Sequence, residues 1–426
     1  MNNTQNSWPD WQPRSIAIKR LRPRTFIHQC TDIEGLDNAL TEGPAPIYLG
    51  FDATADSLHV GSLVPVMMMR NLQRAGHKPI ILVGGGTSRI GDPSFRKDSR
   101  PMLSDADIQR NIDGIRKVFG KFLTFGDGPT DAVLVNNAEW LDELNYIDML
   151  RDIGRHFSIN RMIGFDNVKT RLENQQNLSF LEFNYMILQA YDFLELHRRF
   201  GCVAQLGGSD QWANIINGVD LVRKITGKTV FGLTTPLLTT ATGAKMGKTA
   251  DGAVWVNDDR LPAFDYWQFW RNCADEDVGR FLRIFTDLNL ETIEDLEALR
   301  GSEINSAKKV LASHATALNH GMEAALKAER AAQDVFEGSA TGNDLPVINI
   351  DLDDSRNGLS LADLLVLSGL SKTKSEGRRL IRGGGARLDG SVISDEKAVL
   401  GPDILFAGSS LRLSAGRKRH ALIQVG

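Results

Sequence analysis

The alternation of strand-like and helix-like patterns in the N-terminal half places the strongest constraint on the fold. Residues 47–51 form a short apolar run that ends in a turn, and residues 58–74 have the pattern of a helix. Residues 79–83 form a second apolar run, which is followed by Gly84-Gly85-Gly86. A strand, a helix and a second strand in this order are the building block of a parallel α/β sheet. The sequence therefore predicts the α/β class for this half of the chain.

The same alternation continues further along the chain and then stops. Residues 180–199 have a helical pattern, residues 202–206 have a strand pattern, and another helix is expected to begin near Gln211. Alanine-rich segments such as 307–318 and 322–336 then indicate packed helices. An α-helical domain is therefore expected to follow the α/β domain.

The C-terminal part has a pattern of its own. Glycine, proline, aspartate and asparagine are frequent in residues 338–354, which we interpret as a linker. Two short helices are predicted beyond it, with short strands around the Asp389-Gly390 turn and at 421–425, so we expect a small α+β domain. The predicted boundaries are 1–258 for the α/β domain, 259–337 for the helical domain, 338–354 for the linker and 355–426 for the C-terminal domain.

The charge is unevenly distributed between these parts. Residues 355–426 contain 12 Lys and Arg against 6 Asp and Glu, whereas residues 1–354 contain 37 against 47. A basic domain attached to an acidic body suggests a polyanionic partner such as a nucleic acid. The alternative is a basic surface that contacts only solvent.

Composition excludes several classes of protein. Charged residues make up 24% and apolar residues 42% of the chain, which is ordinary for folded domains and not for disordered ones. No uncharged apolar run approaches the 18 residues of a membrane span, and the N-terminus lacks a secretory signal, so we expect a cytoplasmic protein.

Cys30, Cys202 and Cys273 are too far apart for a disulfide framework or a zinc site. Residues 14–24 are basic, and the sequence leaves open whether they form a presequence or pack on the body.

The first segment with chemical character follows the apolar run 47–51. It contains Asp52, and His59 and Ser62 stand three residues apart on one side of the first turn of the predicted helix. Free backbone N–H groups and the positive end of the helix dipole favour a phosphate there, and Gly61 lets a flat group approach the backbone. A histidine at such a position can also be purely structural.

A second glycine-rich segment, residues 84–94, follows the next predicted strand. It is not the dinucleotide-binding fingerprint, because Arg89 stands where the third glycine is required. Arg96 and Arg100 follow it, and such cations beside a glycine-rich turn suit a polyphosphate. A solvated loop is the simpler interpretation.

The third segment, Lys245-Met246-Gly247-Lys248-Thr249, places two lysines three residues apart in a glycine-flanked loop. A P-loop would need glycine at Thr242 and a helix after the loop, whereas residues 253–256 have a strand pattern. The P-loop interpretation therefore fails. A loop whose lysines can hold phosphates remains.

The predicted helix 180–199 carries Tyr185, Gln189 and Asp192 as one polar stripe on otherwise apolar faces. Polar groups on a buried helix cost free energy unless they are hydrogen-bonded. We therefore expect the stripe to face a ligand or a water-filled pocket. A wet outer face is the alternative.

Together these segments resemble the class I aminoacyl-tRNA synthetases. His59-Val60-Gly61-Ser62 resembles their HIGH signature, and residues 245–249 resemble the KMSKS signature in the variant typical of bacterial-type tyrosyl enzymes. Similar strings occur in the same order along nearly the whole chain, around Asp52, Asp92, Asp192 and Asp210. The resemblance implies a Rossmann-like parallel-sheet catalytic domain, an anticodon-binding helical domain and a C-terminal RNA-binding domain.

The same resemblance implies an activity. The chain would activate L-tyrosine with ATP, assisted by Mg²⁺, transfer it to tRNA(Tyr), and act as a homodimer. The tyrosine carboxylate is already nucleophilic, so catalysis would come from positioning and from charges around the phosphates. A tryptophanyl enzyme is opposed by Tyr48 and Asp192, two groups suited to a phenol. A non-catalytic RNA-binding relative is opposed by the presence of both signatures.

The roles of the family carry over to the matching positions. Tyr48 and Asp192 would contact the phenol of tyrosine, Asp92, Tyr185 and Gln189 its α-ammonium, and Gln211 its carboxylate. The residues implied for ATP binding are Asp52, Gly61, Gly208, Asp210 and Lys248. The catalytic set around the phosphates would be His59, Ser62, Arg96, Arg100, Lys245, Lys248 and Thr249. The basic residues implied for tRNA binding are Lys372, Lys374, Arg378, Arg379 and Arg382. No residue is expected to ligate a metal.

Two departures from the family pattern stand out. Ser62 occupies the position of the final histidine of HIGH, and a serine can still donate and accept a hydrogen bond. Pro65 lies in the first turns of the predicted helix, where it removes a backbone donor.

Overall fold

The structure, a computed structural model, describes residues 11–92, 102–239, 246, 248–249, 252–337, 347–350, 358–401, 411–416 and 419–425. The chain forms two compact units, Met1–Met322 and Glu323–Gly426. Arg96, Arg100 and Lys245, three of the expected catalytic residues, lie outside the described residues. The side chains of Lys248 and Thr249 also lie outside them.

The first unit is built on a six-stranded sheet. Its strands are β1 (Gln29–Cys30), β2 (Pro46–Phe51), β3 (Lys78–Val83), β4 (Val133–Asn136), β5 (Ala204–Gly208) and β6 (Phe231–Thr235). Their order across the sheet is β1-β6-β5-β2-β3-β4, and every pair is parallel except β1 with β6. The chain leaves β2 towards β3 and later returns to β5 on the other side. Ligands of such sheets bind outside the carboxyl ends of the strands at this switch point. The predicted α/β parallel-sheet fold is confirmed.

Helices cover and extend this sheet. The helices before β5 are α1 (Ile16–Leu21), α2 (Ile33–Ala39), α3 (Leu63–Arg74), α4 (Asp105–Phe122), α5 (Ala138–Leu141), α6 (Tyr146–Asp152), α7 (Ile159–Met162), α8 (Asp166–Glu173) and α9 (Phe180–Phe200). Those after it are α10 (Trp212–Thr226), α11 (Ala263–Arg271), α12 (Val278–Phe285), α13 (Leu290–Ala298) and α14 (Ile304–His320). Short 3₁₀ turns lie at Val60–Ser62, Thr87–Arg89, Gly154–His156, Ser209–Gln211, Asp275–Asp277 and Gly301–Glu303. Two short strands, β7 (Lys248–Thr249) and β8 (Gly252–Ala253), pair with each other.

The helix α9 is fixed at both ends by its own sequence. Ser179 and Glu182 form a capping box at its start, and Gly201 ends it in the left-handed conformation with φ 66°. Its apolar side chains pack with α10 and with β2 and β3, for example Phe193 against the ring of Tyr48 at 5.2 Å. The polar stripe of α9 is thereby held over the carboxyl ends of the strands.

The predicted helix 58–74 begins later than expected. His59 is the N-cap of the 3₁₀ turn Val60–Ser62, and the α-helix α3 starts only at Leu63. The delay has a physical cause, because His59 is extended, with φ −103° and ψ 162°, and so cannot belong to a helix. Backbone hydrogen bonds on both sides hold it there, from Val60 N–H to the Val254 carbonyl at 2.9 Å and from Val256 N–H to the Leu58 carbonyl at 3.0 Å. Pro65 is the third residue of α3, where a backbone N–H has no intrahelical partner in any case, so its missing donor costs nothing.

The basic N-terminal stretch packs on the body. Arg24 is 5% exposed, and its Nη1 donates to the carbonyl oxygens of Arg283 and Thr286 at 2.9 Å each. The backbone N–H of Arg14 donates to Asp37 at 2.7 Å. These contacts give this stretch a structural role.

The second unit contains a five-stranded sheet of order β12-β11-β14-β15-β9 and a separate pair, β10 with β13. Its elements are α15 (Met322–Glu337), β9 (Val347–Ile350), β10 (Leu359–Ser360), α16 (Leu361–Leu367), α17 (Lys374–Arg382), β11 (Ala386–Leu388), β12 (Ser391–Ile393), β13 (Val399–Leu400), β14 (Leu411–Ala415) and β15 (Arg419–Val425). Asp389 and Gly390 have φ 46° and 87°, the left-handed pair that a two-residue hairpin requires.

One segment departs from its predicted character. Residues 338–354 were expected to be a linker, but β9 lies within them and runs parallel to β15 over four residue pairs. The unpaired edge of β15 supplies the partner that sequence patterns alone do not indicate. The division of the chain at 258, 337 and 354 stays a prediction.

Within the part of the chain that the structure describes, no helix has the length and apolar character needed to cross a membrane.

Candidate active site

The polar residues of the site follow from the sheet topology. Tyr48 lies on β2, Asp52 directly follows β2, and Asp92 lies beyond β3. Gln211 follows β5, the strand on the other side of β2. Because the carboxyl ends of parallel strands meet at one edge, these side chains converge, and α9 adds its polar stripe above them.

Asp52 and Asp92 organise the middle of the site. The Asp52 carboxylate accepts hydrogen bonds from Thr87 Oγ1 at 2.8 Å and from the Tyr185 hydroxyl at 2.9 Å. Its Oδ2 also accepts from the backbone N–H of Asp92 at 3.3 Å. The Asp92 carboxylate accepts from Gln211 Nε2 at 2.7 Å. Four of the predicted site residues therefore form one hydrogen-bonded group.

Gln189 joins this group through a residue that the sequence did not indicate. Asn214 Nδ2 donates to Gln189 Oε1 at 2.9 Å and to Gln211 Oε1 at 3.1 Å. Asp92 and Gln189 thus accept one hydrogen bond each, and the Tyr185 hydroxyl donates its proton to Asp52, so all three side-chain oxygens keep acceptor lone pairs. Three such acceptors match the three N–H groups of a primary ammonium.

Asp192 closes the bottom of the site. Its carboxylate accepts hydrogen bonds from Trp140 Nε1 at 2.7 Å and from Asn137 Nδ2 at 3.0 Å, and Asn137 also donates to Thr87 Oγ1 at 3.0 Å. Burial raises the pKa of Asp192 to about 7, against the opposing effect of its two hydrogen bonds. Both carboxylate oxygens retain lone pairs for a further donor such as a phenol.

Tyr48 has the clearest sign of a missing partner. Its side chain is fully buried, and its hydroxyl has no hydrogen-bond partner among the described residues. Burial, with the nearby charge of Asp192 as a lesser cause, raises the pKa of this phenol well above its usual range, so the hydroxyl keeps its proton. A buried hydroxyl without a partner costs about 1–3 kcal/mol, which indicates that a ligand supplies the partner.

The two signatures lie side by side. Ser62 donates its backbone N–H to His59 Nδ1 at 3.3 Å, and its hydroxyl is 3.4 Å from His59 Nε2. A Cβ on Gly61 would lie 3.3 Å from the Met246 carbonyl oxygen and 3.0 Å from the His59 ring. Glycine at 61 therefore lets the second signature approach the first.

For the other residues predicted to bind ATP or its phosphates, the structure gives the position in the fold and few side-chain contacts. Gly208 ends β5, and Asp210 lies in the 3₁₀ turn that follows, where a Cβ on Gly208 would meet the Asp210 carboxylate at 2.5 Å. Lys248 and Thr249 form β7, with backbones paired to Ala253 and Gly252.

Four further residues of the site were not predicted as site residues from the sequence: Thr87, Asn137, Trp140 and Asn214. Asn137 directly follows β4, so the rule that polar residues after parallel strands belong to the site could have found it. Trp140 and Asn214 lie on helices, and no sequence signal distinguishes them from other helical residues.

The expected RNA-binding residues form an exposed face in the second unit. Lys372, Lys374, Arg378, Arg379 and Arg382 are all exposed, whereas Gly377 and Ile381 of the same segment are buried. Lys374 pairs with Asp363 and Arg382 with Glu396. The face keeps an excess of positive charge.

Comparisons with known proteins agree with this geometry. Residues 40–337 match the family described as class I tRNA synthetases (W and Y). The tyrosine–tRNA ligase of Rhodospirillum rubrum is 59% identical over 97% of this chain and 99% of its own length. That of Zymomonas mobilis is 57% identical over 97% of this chain and the whole of its own length.

Solved structures give the same result for the fold. A C-terminally truncated mitochondrial tyrosyl-tRNA synthetase of Aspergillus nidulans superposes with a TM-score of 0.69 at 30% identity, covering 76% of this chain and 95% of its own. The corresponding protein of Coccidioides posadasii gives 0.65 at 30% identity, covering 74% and 91%. With both signatures adjacent and a polar pocket at the switch point of its sheet, the chain belongs to the bacterial-type tyrosyl-tRNA synthetases of class I.

Proposed function

We propose that this chain is a tyrosine–tRNA ligase whose described pocket binds L-tyrosine through its phenol and its ammonium group. The observation that carries the proposal is the buried Tyr48 hydroxyl without a partner, beside the buried carboxylate of Asp192. A phenol can donate to Asp192 and accept from Tyr48 at the same time. An indole N–H can only donate, so tryptophan would leave the Tyr48 hydroxyl unpaired.

The ammonium and carboxylate end of tyrosine would bind at the hydrogen-bonded group around Asp52 and Asp92. The ammonium would donate to Tyr185, Asp92 and Gln189, with Gln211 next to the carboxylate. Asp52 acts behind Tyr185 and Asp92, because it accepts hydrogen bonds from both. The contacts at the two ends hold the carboxylate in one position, which lowers the entropy cost of reaction.

In the first step a carboxylate oxygen of tyrosine attacks the α-phosphorus of ATP. The bond between that phosphorus and the bridging oxygen breaks, and pyrophosphate leaves with the electron pair. In the second step a ribose hydroxyl of the terminal tRNA adenosine attacks the carbonyl carbon of tyrosyl-adenylate, AMP leaves, and the hydroxyl proton passes to solvent. Neither step changes an oxidation state.

The protein groups around the phosphates would supply charge and hydrogen-bond donors. His59 and Ser62 lie next to the start of α3, and Lys245, Lys248 and Thr249 belong to the adjacent signature. Arg96 and Arg100 would add charge from the segment after β3. Gly208 and Asp210 would hold the ribose. Such groups act most strongly where charge develops in the transition state.

Mg²⁺ would enter with ATP. Among the described residues no cluster of three or more His, Cys, Asp or Glu side chains has the spacing of a metal site. We expect the ion to bind the phosphate oxygens of the nucleotide.

The partners and setting of the enzyme are also part of the proposal. The exposed basic face of α17 would contact tRNA(Tyr), whose phosphates attract such a surface. An enzyme of bacterial type that uses tRNA would work in the cytoplasm.

We further propose that two copies associate through the surface of residues 146–181. Eight large apolar side chains are exposed there: Tyr146, Ile147, Leu150, Ile159, Ile163, Leu172, Phe180 and Leu181. Such a concentration of exposed apolar groups marks an association surface. Phe180→Asp should give a monomer in analytical ultracentrifugation, whereas Ile16→Asp, at a similarly exposed position on α1, should leave the dimer intact.

Exchange of labelled pyrophosphate into ATP tests the activity. The exchange should depend on tyrosine and should not be supported by tryptophan. A tryptophan-dependent exchange would favour a tryptophanyl enzyme, and no exchange with any amino acid would favour a non-catalytic RNA-binding relative.

A further inference from the structure

The backbone of the first signature is held by a segment far away in the sequence. Val60 donates its N–H to the Val254 carbonyl at 2.9 Å, and Val256 donates to the Leu58 carbonyl at 3.0 Å. His59 and Trp255 thereby face each other as an isolated antiparallel bridge. The position of His59 consequently depends on what holds residues 254–256.

The C-terminal end of α14 forms a side-chain hydrogen bond to the backbone of residues 254–256. Asn319, which is 2% exposed, donates from Nδ2 to the Val256 carbonyl at 2.8 Å. The same nitrogen lies 2.8 Å from Nε2 of His320. His320 Nδ1 is in turn 2.9 Å from the Asp258 carboxylate, which also receives Lys121 Nζ of α4 at 2.8 Å.

The chemistry of this group allows only one arrangement of protons. The amide nitrogen of Asn319 can only donate, so His320 Nε2 accepts and its Nδ1 carries the proton that goes to Asp258. A neutral imidazole satisfies both bonds, and burial lowers the pKa of His320 and favours that form. The ring of Tyr266 lies 5.0 Å from the His320 ring, edge to face, and limits its rotation. The group is therefore a rigid support for the Val256 carbonyl.

We propose that Asn319 and His320 are positioning residues for His59, with Asp258 and Lys121 holding His320 in place. They act through residues 254–256 and do not belong to the tyrosine pocket. The inference rests on the proposed role of His59 in tyrosine activation. Because that role concerns the transition state, a loosened support should lower kcat and leave KM for tyrosine unchanged.

The experiment compares two variants of His320 in the full-length protein by pyrophosphate exchange. His320→Leu keeps a similar volume but loses both hydrogen bonds, and we expect kcat to fall roughly tenfold to a hundredfold, as a small misplacement near a reacting group can cause. His320→Gln can still donate and accept, so it should recover most of the activity. Lys121→Met, at a partly exposed position, should lower kcat less than His320→Leu.

Ser313→Ala is the matched control. It removes the 3.0 Å hydrogen bond from Trp267 Nε1, which joins α11 to α14 without involving residues 254–256. Its kcat should equal that of the wild type, and circular dichroism would establish that all variants are folded. The inference is overturned if folded His320→Leu and Lys121→Met keep the wild-type kcat, or if Ser313→Ala lowers kcat as much as His320→Leu. A wild-type protein without exchange would instead contradict the proposed function.

Discussion

At the scale of single residues, the Tyr48 hydroxyl should lower the stability of the unliganded protein and strengthen the binding of tyrosine. Its buried hydroxyl lacks a partner among the described residues, so Tyr48→Phe should stabilise the unliganded protein, by up to about 1–3 kcal/mol. The same change removes one neutral hydrogen bond to the phenol of tyrosine, worth about 0.5–1.5 kcal/mol. The ratio of kcat/KM for tyrosine over phenylalanine should fall severalfold. Thermal unfolding and exchange assays measure the two effects, and an unaltered ratio would mean that Tyr48 does not contact the substrate hydroxyl.

Asp192 should make the selectivity depend on pH. Burial raises its pKa to about 7, so the carboxyl is mainly protonated at pH 6 and mainly ionised at pH 8. A carboxylate is the stronger acceptor for a phenol, by about 1 kcal/mol or more. The preference for tyrosine over phenylalanine should therefore rise severalfold from pH 6 to pH 8. Phenylalanine itself has no hydroxyl and should show no corresponding rise.

The control for this prediction is Asp192→Asn, which should remove the pH dependence of the preference. If that variant is inactive because its amide opposes the donors of Asn137 and Trp140, Asn137→Ala offers a second measurement. Loss of one of the hydrogen bonds that stabilise the ionised form should shift the rise to higher pH. A preference that is constant between pH 6 and pH 8 would contradict the assignment of Asp192.

At the scale of elements, the second signature is linked to the first through β8, which pairs with β7, and through residues 254–256, which pair with residues 58–60. Gly61 gives the Met246 carbonyl oxygen room beside the first signature. Lys248 belongs to the second signature, and its proposed contact with phosphate would strengthen only in the transition state. Lys248→Ala should slow adenylate formation by the equivalent of about 2.7–4 kcal/mol, by analogy with oxyanion-hole donors, with little effect on tyrosine binding. Pre-steady-state kinetics measures both quantities. Lys117→Ala, at an exposed position on α4, should change neither, and an unchanged rate in Lys248→Ala would remove this loop from the site.

At the scale of the whole molecule, activation and transfer to tRNA should be separable. A truncated chain that ends at Glu337 lacks the whole five-stranded sheet. A chain that ends near Asp354 would instead keep β9 without its partner strand β15. The truncated chain should retain tyrosine activation and lose much of its aminoacylation of tRNA. In the full-length protein a fourfold rise in salt should weaken tRNA binding roughly threefold for each phosphate contact.

The matched control keeps the second unit intact. Arg378→Ala combined with Arg379→Ala changes two exposed side chains of α17 and should reduce both tRNA affinity and its salt dependence. Equal aminoacylation by the truncated and the full-length chain would show that the basic face of α17 takes no part in transfer.

Several features of this protein depend only on neighbours along the chain and were predictable from the amino-acid pattern. The strands β2 and β3, the helix α9 with its capping box and the Asp389-Gly390 hairpin all follow from local spacing, caps and turn chemistry. The signature strings likewise indicated which residues would carry the chemistry. These features are predictable because hydrogen bonds between near neighbours and the burial of one face act on a short stretch of residues.

Other features depend on partners that are distant in the chain, and sequence patterns did not indicate them. The start of α3 was set by residues 254–256, the environment of Asp192 by Asn137 and Trp140, and β9 by the edge of β15. Each of these contacts joins residues far apart in the chain, and a hydrogen bond or a strand edge leaves no periodic trace in the sequence of either partner. Only the folded chain brings the two partners together.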